Sequence, residues 1–394
     1  MWTFFRGLFA LLDRGRVWMV GVDTRNVSVD QAIRSGSLDD IGFCCHQQTE
    51  GRNTVAHRSG VWRCLKPEIK SSDATAPYDT YDSILEIPKG SDPSQNAWLT
   101  LQLRVKLNFV DSTNPVPGLT VNQGGKFYAK DTDGYNFPLM NWPAHLMARF
   151  QREYIQVAER TWNWQFLLIT PRNCSDLDYC PRGSALTIRP NVLCLFRMSL
   201  LGPNGALDTS PAAGPMPSGS PHRTINVVNL SLATRQVHLD SSVTPTAAKP
   251  ATKTINRVDG LAWRSNSDNY DDSDLFAPSW WNKEHKVLSN TVGHEVGHAL
   301  GQCHIMGLKG IAAYTFTGAN ANDTAAYGVG SNDPLDVNNV MGGGDRLYLI
   351  NAVSWGERIA LHTGIAANKW QATGLMDTPP RRMPAGLTNT ATEW

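Results

Sequence analysis

The stretch His294-Glu295-Val296-Gly297-His298-Ala299-Leu300-Gly301-Gln302-Cys303-His304 decides how this 394-residue chain is read. It spells H-E-x-x-H-x-x-G-x-x-H without a departure. His294 and His298 are four residues apart, so on a helix their imidazoles lie on one face and can share a metal ion. Gly301 can take a positive φ without a Cβ penalty, which ends the helix and turns the chain. That turn can bring His304 back as a third ligand. Three neutral imidazoles leave one position of a tetrahedral zinc open, the arrangement of catalytic rather than structural zinc. Glu295 directly follows the first histidine, so its carboxylate projects beside the metal. There it can take a proton from an attacking water and hand it to a leaving amine. The plain alternative is an amphipathic helix with solvated His and Glu, and the complete five-residue register weighs against it.

Outward from this motif, the pattern predicts an ordered series of elements. Leu99, Leu101, Leu103, Val105, Leu107 and Phe109 alternate with polar residues, which predicts a half-buried strand. In Ala144 to Trp162 the residues Leu146, Phe150, Tyr154, Val157, Ala158 and Trp162 stand near helical spacing, so an amphipathic helix is expected. Short apolar runs at Phe166–Ile169, Val192–Phe196 and Ile225–Leu232 read as further strands of one sheet. Lys286 to Leu300 reads as the metal-site helix and Tyr348 to Leu361 as a closing helix. Between them stands Asn338-Asn339-Val340-Met341-Gly342-Gly343-Gly344, whose glycines allow a tight turn at Met341.

The zinc motif followed by this methionine turn resembles the metzincin clan of zinc metallopeptidases. The resemblance spans roughly residues 96–365, and only the zinc motif is specific. It implies an α+β catalytic domain: a twisted, mostly parallel sheet, long helices, an active-site helix and a Met-turn. A substrate cleft would lie between an upper half (96–304) and a lower half (305–365). It further implies a zinc-dependent endopeptidase in which His294, His298 and His304 hold zinc and Glu295 is the general base. Gly301 would shape the turn, and Met341 would form an apolar floor beneath the histidines. Peptide or protein is the implied substrate, and action outside the cell fits the clan. Two departures leave the subfamily open. Gly343 stands two residues past Met341, where astacin-like and serralysin-like enzymes carry a tyrosine, and Ile305 follows the third histidine where other members have aspartate. Tyr314 and Tyr327 lie where a pocket wall could form, although packing within the loop is the preferred reading. Two rival functions are a latent zinc-bearing binding or structural module and a hydrolase of non-peptide amides. The intact Glu295 speaks against the module, because a zinc scaffold needs no base.

The remainder is less specific. Residues 1–95 read as an N-terminal accessory or pro-like region, and residues 366–394 as a loosely held tail. Cys64, in Trp62-Arg63-Cys64-Leu65-Lys66-Pro67, loosely resembles the inhibitory Arg-Cys loop of matrix metalloproteinases, but a buried or disulfide-bonded cysteine is the preferred reading. Seven cysteines is an odd count, with Cys174 and Cys180 the easiest pair to bridge. Asp268 to Asp274 carries oxygen ligands that could hold a structural Ca2+, although a solvated loop is preferred. Residues 202–221 and 241–254 read as long mobile insertions, and sequons stand at Asn26, Asn173, Asn229 and Asn322. A formal charge of +1 gives no draw toward nucleic acid. No apolar run reaches the ~18 residues of a transmembrane segment. The apolar stretch Trp2 to Leu12 is interrupted by Arg6 and lacks the cleavage site of a signal peptide; core packing is its expected role.

Overall fold

The computed structural model describes residues 65–86, 96–130, 134–172, 174, 177, 189–201, 207–208, 220–230, 235–240, 242–255, 268–271, 280–282 and 287–374. Strands β1 (Glu68–Ile69) and β2 (Asp82–Glu86) lead into the long β3 (Ala97–Val110). Then come β4 (Thr120–Gln123), β5 (Lys126–Lys130), β6 (Tyr135–Pro138), helix α1 (Ala144–Trp162), β7 (Phe166–Ile169) and β8 (Val192–Leu201). Short strands follow: β9 (Leu207–Asp208), β10 (Arg223–Val228), β11 (Arg235–Leu239), β12 (Thr252–Ile255), β13 (Asn269–Asp271), β14 (Trp280–Asn282) and β15 (Val287–Ser289). The last part is helical, with α2 (Thr291–Ala299), α3 (Ile305–Leu308), α4 (Pro334–Asn338) and α5 (Val353–Thr363), and closes on β16 (Gln371–Gly374). The protein is therefore mixed α+β.

The apolar row of β3 forms the middle of the main sheet. Leu99, Leu101, Leu103 and Val105 are fully buried against Phe150, Tyr154, Ala158 and Trp162 of α1. Each such side chain stabilises by roughly 1.5–3 kcal/mol relative to exposure. The strand is not half-buried as its alternation predicts: Thr100, Gln102 and Arg104 are buried as well. Arg104 tolerates this because its guanidinium pairs with buried Asp82 and its Nε donates to the Ser220 carbonyl at 3.0 Å. Helix α1 has the predicted bounds. It ends where the Asn163 N–H donates back to the Glu159 carbonyl, and Trp164 then takes a left-handed φ of 61°.

The nine-stranded sheet runs β1-β2-β3-β8-β7-β16, with β10 also on β3, β13 on β10 and β9 on β8. Its longest pairing, β3 with β8, is parallel, as are β3 with β10 and β10 with β13. The pairings of β1 with β2, β2 with β3, β7 with β8, β7 with β16 and β8 with β9 are antiparallel. The sheet is thus mixed, which corrects the expectation of a mostly parallel one. The difference comes from short neighbouring strands, which need no crossover to pair antiparallel. Three of them lie outside the span 96–365. β1 and β2 lie before residue 96 and β16 after residue 365, yet all three belong to this sheet.

A second sheet, β12-β11-β6-β5-β4, is antiparallel throughout and has its own core of Val110, Ala129, Phe137, Val228, Leu230 and Val237. Of 241–254, residues 252–254 join this sheet in β12, while 242–251 form largely exposed turns and bends. Of the four sequons, Asn229 is buried and donates to the Asn141 carbonyl, so it is not a surface acceptor. The acidic run enters as Asp268 and strand β13, and Asp268 meets Arg223 at 3.3 Å. Among the described residues, the one group of metal-capable side chains is the histidine trio, and Asp272 to Asp274 of the acidic run lie outside the described residues. Trp2 to Leu12, Asn26, Cys64, Asn173, Cys180 and most of 202–221 lie outside the described residues. No described helix is long and apolar enough to cross a membrane.

Candidate functional site

Helix α2 begins later than the periodicity implies. β15 occupies residues 287–289, and Asn290 then caps the helix by accepting the Gly293 N–H at 2.8 Å. The Asn290 amide also donates to Thr161 at 3.0 Å, and the Trp162 indole donates to the Gly293 carbonyl at 2.9 Å. These bonds fix α2 against α1. At the other end the Gln302 N–H reaches the Gly297 carbonyl and the Gly301 N–H reaches the His298 carbonyl, each at 3.0 Å. This is the Schellman closure, and it requires the φ of +83° that Gly301 adopts. Space is also short there: a Cβ on Gly301 would lie 2.5 Å from the Tyr78 ring and 2.8 Å from the Pro77 carbonyl. Thr80 donates to the Ala299 carbonyl, so residues 77–80 brace the turn from below.

The turn brings His294, His298 and His304 together, with one ligand atom from each lying within 4.8 Å of the others. Every Nδ1 is engaged by a backbone carbonyl: His294 with Val340 at 2.6 Å, His298 with Gln302 at 2.7 Å and His304 with Ala321 at 2.6 Å. In a neutral ring the Nδ1 then carries the proton and the Nε2 presents a lone pair that can serve as a metal donor. The Nε2 atoms of His294 and His298 stand 3.1 Å apart. Two lone pairs facing each other at that distance cannot make a hydrogen bond and repel unless a cation sits between them. His304 Nε2 is buried and meets no hydrogen-bond partner. Burial, followed by the charge of His294 and His304, holds the pKa of His298 well below the usual histidine range. Burial likewise lowers that of His304, partly opposed by its bond to the Ala321 carbonyl. Neutral imidazoles, each oriented by a carbonyl at its far nitrogen, are what a metal ion requires.

Met341 is fully buried under α2. A Cβ on Gly297 would fall 2.2 Å from its sulfur and 2.9 Å from Trp162, so the close approach depends on that glycine. The turn around Met341 is laced to the histidines from both sides. Val340 accepts from His294, and the Met341 carbonyl accepts the N–H of Ile305, next to His304, at 2.9 Å. Beneath lies a fully buried amide network. Asn339 and Asn351 exchange hydrogen bonds at 2.9 and 3.2 Å, and Asn351 donates to Gln302 at 3.1 Å. Gln302 in turn donates to the Asn351 carbonyl and to Ser354. This network joins the His304 turn, the Met341 turn and α5, and nothing in the spacing of these amides announces it.

A cleft of about 380 Å³ opens beside the histidines, lined by Glu295, His298, His304, Arg223, Cys303, Tyr314, Phe316 and Tyr327, among others. Both tyrosines therefore face the cleft, which corrects the loop-packing reading. The Tyr327 ring lies 3.8 Å from the His304 ring and stacks on His294 at 5.6 Å. Exposed Asn322, the fourth sequon, stands at the same cleft. Residues that sequence reasoning did not single out are Gly297, Gln302, Asn339, Asn351, Phe316 and Arg223. Comparison of the chain with protein-family models, with curated proteins and with solved structures finds no match to any of them.

Proposed function

We propose that the chain is a zinc-dependent endopeptidase of the metzincin type, with His294, His298 and His304 as the metal ligands and Glu295 as the general base. The observation that carries this reading is the convergence of three Nε2 lone pairs beside a carboxylate in one cleft, each ring already oriented through Nδ1. The donor set suits zinc. Zn–N bonds of about 2.0–2.1 Å at a tetrahedral angle put nitrogens roughly 3.4 Å apart, close to the 3.1 Å between His294 and His298. Three imidazoles leave a fourth position for chemistry, and the orphaned nitrogen of His304 gains a partner. When bound, zinc supplies Lewis acidity, polarising a carbonyl and drawing the pKa of a water toward ~7.

The chain's own groups do the rest. Glu295 takes the proton of the attacking water and returns it to the leaving amine. The carbonyls of Val340, Gln302 and Ala321 keep the imidazoles from rotating. Tyr327 covers the His304 ring on one side, and Met341 fills the space beneath α2 with atoms that cannot compete as hard ligands. The order of elements also supports the clan: sheet and long helix, metal helix, glycine turn, third histidine, methionine turn, closing helix.

The test is cleavage of a diverse peptide library by the purified chain and by Glu295→Ala, read by mass spectrometry. Cuts made only by the parent are expected. An inert parent that still carries zinc would favour the non-catalytic module, and cleavage of small amides with peptides left intact would favour the amide hydrolase.

A further inference from the structure

In β10, Ile225 and Val227 point into the main core alongside Tyr154 and Val296. Side chains two apart on a strand share a face, so Arg223 is the first member of this same row. A third apolar residue would continue the core. Instead the row ends in a guanidinium where the sheet meets the cleft, and Arg223 lines that cleft together with Glu295, His298 and His304. Its side chain is only 22% exposed, and its partner among the described residues is Asp268, 59% exposed and 3.3 Å away from one terminal nitrogen. One long bond to a solvated carboxylate leaves most of its five N–H donors uncommitted. Apart from the histidines, Arg223 and Glu295 are the charged side chains among the residues lining the cleft.

We infer that Arg223 is a specificity-determining residue that binds a carboxylate of the substrate, so that the favoured substrates are peptides with an acidic side chain near the bond cleaved. This inference rests on the peptidase reading for the word substrate, but not for the binding itself. The geometry favours a carboxylate over a neutral amide because a planar fork of donors can hold two oxygens at once. The cleft also shields the pair from solvent more than an open surface would. Phe316, 46% exposed and 5.9 Å from the His298 ring, gives the same cleft an apolar wall against which the rest of the peptide can lie.

The test uses fluorescein-labelled hexapeptides that differ only by Glu for Gln, moved through each position in turn. Binding to the zinc-loaded Glu295→Ala chain is read by anisotropy, and cleavage by the parent is read separately. At one position the Glu peptide should bind about tenfold more tightly than its Gln twin. Arg223→Gln should bring that ratio close to unity, Arg223→Lys should keep part of it, and Arg223→Glu should shift preference toward a Lys peptide. Thermal melts of the three variants establish that they are folded. Equal affinity for the twins at every position, or a preference that survives Arg223→Gln, would overturn the inference. Arg223-dependent binding with no cleavage by the parent would support it while removing the peptidase reading. Cleavage indifferent to Arg223 would do the reverse.

Discussion

Gly297→Ala sets two effects of opposite sign against each other. In a helix, alanine is favoured over glycine by about 1 kcal/mol, so propensity alone predicts a more stable protein. Packing predicts the reverse, because the new Cβ would lie 2.2 Å from the Met341 sulfur and 2.9 Å from Trp162, both fully buried. Met341 has little freedom to retreat. Its N–H is held by Asn339 at 2.7 Å and its carbonyl by Ile305 at 2.9 Å. Overpacking of this kind costs roughly 1–3 kcal/mol, and so short a contact belongs at the upper end, leaving a net loss of about 1–2 kcal/mol. Met341→Ala alone should cost about 2–5 kcal/mol through the cavity it leaves. In the double variant the clash is gone and the propensity gain remains, so its loss should fall short of the sum by about 1–3 kcal/mol. Urea titrations of the metal-free chain measure all three without interference from ligand binding. A stabilised Gly297→Ala, or strict additivity of the pair, would refute the claim that this glycine exists to admit the methionine.

Gly301→Ala should destabilise more than Gly297→Ala, since a φ of +83° and a Tyr78 contact at 2.5 Å act together, and zinc affinity measured by competition with a chelator should fall with it. Asn351→Leu removes the centre of the buried amide network and strands groups on Asn339, Gln302 and Tyr348, for a loss of roughly 3 kcal/mol or more in the same urea assay. A loss below about 1 kcal/mol would mean the network relaxes freely. Burial holds His362 down at about 4, partly opposed by its bond to the Lys66 carbonyl. As pH falls below about 6.5 the unfolded chain takes this proton first and the folded chain does not until about 4. Roughly 3 kcal/mol of stability, fully present above 6.5, is therefore lost across that window. His362→Gln should flatten the slope, which urea midpoints between pH 7 and 4 would reveal.

What was legible follows from the length and strength of each signal. Helix α1 has an apolar face over nineteen residues, and its bounds are those its periodicity implies. The three histidines are legible because helix geometry fixes where the i and i+4 imidazoles lie, and a glycine marks the turn to the third. The periodicity carries α2 back past its true start because Leu288, Val292, Val296 and Leu300 recur every four residues; only the Asn290 cap marks the change from β15. Strands β1, β9 and β16 have two to four residues, too few for alternation to register. The second sheet is hidden for a related reason: β4, β5 and β12 have only four or five residues each, and β4 and β12 are largely polar. Arg223 and the Asn339–Asn351–Gln302 network escape because their meaning depends on partners from 12 to 49 residues away or more, which no local pattern encodes.

The central claim is that three imidazoles converge on one metal ion with a carboxylate base beside it. Zinc content per chain, measured by mass spectrometry on the parent, His304→Ala and Glu295→Ala after dialysis against a chelating resin, tests it most directly. The account predicts about one zinc in the parent and in Glu295→Ala, and none retained by His304→Ala. Full zinc occupancy in His304→Ala would contradict it.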